Sequence, residues 1–309
     1  MDAIAYPRLR GRAWRLPTPV LAAFMQAWIA WRRYPARRED GERQWKVGVK
    51  YACRSCALLF LPSSKLRALA LCYLWIRFVD DIEDRDAPVP YPHTYESYLA
   101  RKATVLDTGI PDGFEDELLV RMHEEGARHG INLHDDLRLV WQISREESID
   151  REWRIVSLAE LRHQAEMMDT AILTIFCKGF GAHIKEAVRE LDFIRGIYTR
   201  TESLADLVGD LASGRINIPL ETVEERGFDP AVLLLRPSWE VLVAMPGFLT
   251  WYKGELAALA AEWQRLEVRF EAWLHEVMPT ATRAYVARKL LWRIFATYMR
   301  RASDRLALS

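Results

Sequence analysis

The stretch that most limits what this chain can fold into runs from Leu66 to Asp84. An apolar run, Leu66 to Val79, ends in Asp80-Asp81-Ile-Glu83-Asp84. Its length predicts a buried helix rather than a strand. On that helix Tyr73, Arg77, Asp80 and Asp84 fall within about 60° of one another, so the two carboxylates project from one face a turn apart. Carboxylates at the end of a buried helix are costly unless something positive lies between them. Surface Lys or Arg pairing at an exposed helix end would satisfy them. So would Mg²⁺, a hard cation that takes oxygen ligands and binds a few carboxylates together with substrate phosphates. Arg77, one turn before Asp80, suits a phosphate with its fork of donors.

A second run has the same character. Glu202, Asp206 and Asp210 lie at successive i+4 steps and span about 80° of one helical face. Leu204, Ala205, Leu207 and Val208 fill the positions between, which predicts an amphipathic, packed helix. A solvated charge stripe would carry Lys and Arg at the i+4 partner positions. The cations near this run are Arg200 and, past the helix end, Arg215. Two acidic faces on two apolar helices suit a cavity with metal ions held between them.

These blocks carry a resemblance. Tyr73 to Asp84 resembles the first aspartate-rich motif of the squalene/phytoene synthase family, all-helical enzymes of isoprenyl diphosphates. Residues 198–219 resemble its second motif, running through Asp206 and Asp210 into Gly214-Arg215-Ile-Asn217-Ile-Pro219. Cys53 to Pro62 looks like a degraded form of the family's Ser/Phe-rich segment. The resemblance extends over about residues 45 to 300. It implies an all-α isoprenoid-synthase-like bundle around a central cavity, acting with Mg²⁺ on an allylic isoprenyl diphosphate. By this carry-over Asp80, Asp84, Glu202, Asp206 and Asp210 are metal ligands, Asp80 and Asp206 also serving catalysis, and Arg77 and Arg215 contact diphosphate. Tyr73, Gln164 and Asn217 complete the expected substrate contacts.

Departures from the family pattern bear on substrate. Glu202 and Ala205 stand where the family's second motif usually has Asn and Arg, and Asn217 replaces a Tyr of its tail. In the third block Gln164 takes a Tyr position, and Asp169 falls within an apolar face with Leu161, Ala165, Met168, Ile172, Leu173 and Phe176. A carboxylate there needs a partner: either an Arg from another helix, or an acceptor N–H or O–H that it binds or deprotonates. Glu166 is a weaker choice for the same task. These losses favour one metal–diphosphate site beside a remodelled second pocket. The expectation is transfer of a prenyl group, dimethylallyl favoured, to an aromatic small-molecule acceptor such as a carbazole. Trp75, Trp141 and Phe176 are candidate stacking surfaces. Head-to-head coupling of two prenyl diphosphates, terpene cyclisation and a non-catalytic helical subunit are the alternatives.

Composition adds exclusions. Lys+Arg and Asp+Glu stand at 43 each, which gives no general pull toward nucleic acid. No second Cys-x-x-Cys follows Cys53/Cys56, so the paired spacing of a zinc site is missing; reduced thiols in a cytoplasmic protein are the expectation. His123, His129 and His134 lack metal-ligand spacing and are expected at helix ends. Leu16 to Trp31 is too short to span a bilayer and reads as a core-facing helix or one in peripheral contact with a membrane surface. The layout expected is an N-terminal arm and helix over 1–44, then a catalytic region over 45–309, as one domain overall. Helices are expected near 19–31, 45–61, 94–107, 114–129, 134–149, 157–178, 184–213, 249–276 and 280–303, with no strands.

Overall fold

The computed structural model describes residues 64–83, 89, 93–146, 153–182, 194 and 196–307. The helices expected near 19–31 and 45–61, the segment Cys53 to Pro62, and Asp84 lie outside them. The described residues are all-α: eleven helices, one 3-10 turn, and an isolated parallel bridge between Ile155 and Ile216. They fall into two compact units divided after Arg138.

The first unit is built on α1 (Ser64–Glu83), α2 (Tyr95–Thr108), a 3-10 turn (Phe114–Asp116) and α3 (Glu117–Ala127). The apolar run buries Leu71, Leu74, Trp75, Phe78, Val79 and Ile82 on α1. Opposite them, Leu118, Leu119 and Met122 of α3 are equally buried. A charged network is sealed beneath this packing. Lys102 on α2 is 1% exposed, its ammonium 2.5 Å from Glu115 and 2.7 Å from Asp116. Asp116 also accepts the Trp75 indole N–H at 3.1 Å and the backbone N–H groups of Asp112 and Gly113. Trp75, expected as a stacking surface, is instead a core residue with its polar edge committed. Partly buried, Arg67 ties α1 to Glu125 of α3 at 3.0 Å. α4 (His134–Arg145) begins in this unit.

In the second unit α5 (Leu158–Phe180), α6 (Ile197–Ala212), α10 (Phe248–Val277) and α11 (Ala281–Leu306) are the long helices. Three short ones, α7 (Leu220–Arg226), α8 (Pro230–Leu234) and α9 (Trp239–Ala244), were not expected from periodicity. α6 packs against α5, α10 and α11. Aromatic rings fill the space: Trp263 of α10 stacks on Phe295 of α11 at 4.1 Å, and Phe248 and Tyr252 meet Trp239 edge-on. Phe176 stacks on Phe180 within α5 and is 7% exposed. Trp141 is also 7% exposed. Both are core residues rather than open stacking surfaces.

Of the helix expected over 184–213, the described part begins at Ile197, because Gly196 holds φ +73 and caps α6. A side chain at Gly196 would bring its Cβ to 2.6 Å from that of Ala165, so strain and contact both require glycine. No described helix is long and apolar enough to cross a membrane.

Candidate functional site

α6 begins at a glycine, which leaves its first backbone N–H groups without a local side-chain cap. Asp169 of α5 supplies the cap from another helix. One carboxylate oxygen accepts the Tyr198 N–H at 2.9 Å; the other accepts the Thr199 N–H at 3.0 Å and the Thr199 hydroxyl at 2.7 Å. The partner expected from the sequence was an Arg or a substrate; the partner found is the positive end of a helix. Burial pushes the Asp169 carboxyl up to about 7, against the three hydrogen bonds that favour its charged form, with Glu202 adding repulsion.

Along α6 each acid of the run meets its own donor. Glu202 accepts the Tyr298 hydroxyl of α11 at 2.6 Å. Asp206 pairs with Arg301 of α11. Asp210, 7% exposed, accepts Arg215 at one oxygen and Asn217 at the other, both at 2.8 Å. Burial raises the Asp210 carboxyl to about 7; Arg215 and Asn217 oppose that rise, and Asp206 adds to it. The tail that carries Arg215 and Asn217 is anchored on both sides. The Trp153 N–H donates to the Gly214 carbonyl at 2.8 Å, Ile155 bridges Ile216, and the Leu220 N–H donates to the Val156 carbonyl at 2.9 Å. Arg215 thus has a fixed backbone from which to reach Asp210.

The first acidic run is seen in part. Arg77 donates to Asp80 at 2.6 Å, with both side chains partly exposed. Tyr73 is 54% exposed. Gln164 and Glu166 are half-buried on α5.

The acids on α6 are of the kind Mg²⁺ takes, three carboxylates on one helical face. It is not a preassembled cage. Among the described residues no three His, Cys, Asp or Glu side chains stand ready to hold a metal ion. Arg301 at Asp206, about half exposed, is the partner with most freedom to leave. The sequence reading missed Tyr198. Its ring stands edge-on to Trp263 and Phe295, and its hydroxyl is shut off from solvent with no hydrogen-bond partner among the described residues. It also missed Tyr298 and Arg301, which lie some ninety residues beyond the acids they meet. No protein-family model, curated protein or solved structure matches this chain.

Proposed function

We propose that this protein is a Mg²⁺-dependent prenyltransferase that ionises an allylic isoprenyl diphosphate, dimethylallyl diphosphate by preference, and transfers the prenyl group to an aromatic acceptor such as a carbazole. The observation that carries this reading is the register of Glu202, Asp206 and Asp210 on one face of α6, with Arg215 and Asn217 clamped on Asp210. An acid run held by a hydroxyl, an amide and two guanidinium groups supports this reading, because each acid can exchange its donor for a metal ion without being left bare.

Glu202, Asp206 and Asp210 would hold the metal. The ion, when bound, offsets the charge that builds on the departing diphosphate. Arg301 and Arg215 each pair with an acid of α6 and carry guanidinium forks that also fit phosphate oxygens. In the reaction the allylic C–O bond breaks, with its electron pair leaving on the diphosphate. The acceptor ring then forms the new C–C bond and passes its displaced proton to the released diphosphate. The apolar faces of α5 and α6 favour exclusion of water, which protects the cationic carbon from hydrolysis.

The reading is tested by incubating the full-length protein with Mg²⁺ and dimethylallyl diphosphate, with and without a hydroxylated carbazole, and analysing products by mass spectrometry. A singly prenylated carbazole is the expected result. Farnesyl or geranylgeranyl diphosphate serves as the second arm. Squalene, presqualene diphosphate or phytoene formed without acceptor would replace this reading with head-to-head coupling, and a cyclic hydrocarbon would replace it with cyclisation.

A further inference from the structure

His123 lies within α3 and His134 opens α4, joined by a tight turn. Gly126 sets that turn: its carbonyl accepts the N–H groups of His129 and Ile131, and a Cβ there would come within 2.6 Å of the Ile131 carbonyl oxygen. The turn folds the two imidazoles onto each other, with ring centroids 5.1 Å apart and planes inclined by 50°. Two imidazoles on one tetrahedral ion, with metal–nitrogen bonds of about 2.0–2.1 Å, have ring centres about 5 Å apart. The observed spacing matches that value.

Two further features point the same way. The His134 Nδ1 atom is shut off from solvent and meets no hydrogen-bond partner among the described residues, an arrangement that costs stability unless something occupies the lone pair or takes the proton. Burial, and then the neighbouring His134, hold the proton affinity of His123 below the ordinary histidine value. Neutral imidazole is the form that ligates metal.

We propose that His123 and His134 form a two-histidine site for a borderline divalent transition-metal ion, Zn²⁺ or Ni²⁺, with water in the remaining positions. Among the described residues no third His, Cys, Asp or Glu joins them, so the ion is exchangeable rather than permanently built in. Imidazole nitrogens select a different class of ion from the carboxylates of α6, which suit Mg²⁺. A bound ion clamps α3 to α4 across the turn and stabilises the first unit by mass action. The proposal is independent of the prenyl-transfer reading.

The test is calorimetric titration of the full-length, metal-stripped protein with Ni²⁺ near neutral pH. The probe is Ni²⁺ alone, which avoids the preference of Zn²⁺ for the cysteines. Wild type is expected to bind one ion per chain. His123→Asn and His134→Asn are each expected to lose at least about ten-fold in affinity, while His129→Asn keeps it. Absence of binding in wild type, or binding that survives both substitutions, overturns the site. Should either variant fail to fold by circular dichroism, Ni²⁺ broadening of histidine ring signals in wild type decides. Broadening of two among the seven histidines supports the site; broadening of none, or of all alike, overturns it.

Discussion

Asp169 shows how one residue can hold a whole element in register. Its two oxygens take two backbone N–H groups and a hydroxyl at the start of α6, where glycine offers no cap. Losing an ordinary N-cap costs up to about 2 kcal/mol. Asp169→Ala therefore lowers stability by about 2 kcal/mol, read as a shift in the urea midpoint at unchanged slope. Its carboxylate was legible in the sequence as a misfit on an apolar face, but its partner was not, because backbone donors of a distant helix leave no residue-type signal. Asp210 supports a prediction of a different kind. A carboxyl whose pKa rises on folding binds its proton more tightly in the native state, so its contribution is whole below about pH 4 and is lost as pH rises through about 7. In metal-free protein, wild type should lose stability relative to Asp210→Asn across that window. A constant difference between the two would show that Asp210 is ionised throughout.

Among the elements, α1 and α6 repay the clearest sequence signals. The i+4 register of Glu202, Asp206 and Asp210 was readable because helical geometry alone fixes which residues share a face. What each acid meets was not readable, since Tyr298 and Arg301 arrive on α11 by tertiary packing. The start of α6 at Gly196 was hidden for the same reason: one glycine in apolar text does not announce that its Cα will lie against Ala165. The short helices α7 to α9 escaped because five to seven residues hold too few turns to show a period. The buried network joining α1, α2 and the 3-10 turn makes a prediction at this scale. Lys102→Met strands Glu115 and Asp116 without their cation in a sealed interior. A cost of about 3–5 kcal/mol is expected, seen as early loss of the first unit's helices in thermal or urea unfolding. A change below about 1 kcal/mol would mean that the carboxyls hold their own protons.

At the scale of the molecule, the all-α architecture was the most secure sequence inference, because the 3.6-residue period recurs in every long segment and alternation is missing. Function was less legible. The acids of α6 are drawn into ion pairs and hydrogen bonds that serve stability as readily as catalysis, and charge pattern alone does not separate the two uses. The proposed role of these acids is diphosphate ionisation. Its most direct measurement is the rate of inorganic diphosphate release from dimethylallyl diphosphate, compared for wild type, Asp206→Asn and Asp210→Asn, with Mg²⁺ and with EDTA. Release that requires Mg²⁺, and that falls by about a hundred-fold or more in both variants while their helical circular dichroism is kept, is the predicted result. Release indifferent to EDTA, or undiminished in the two variants, would contradict it.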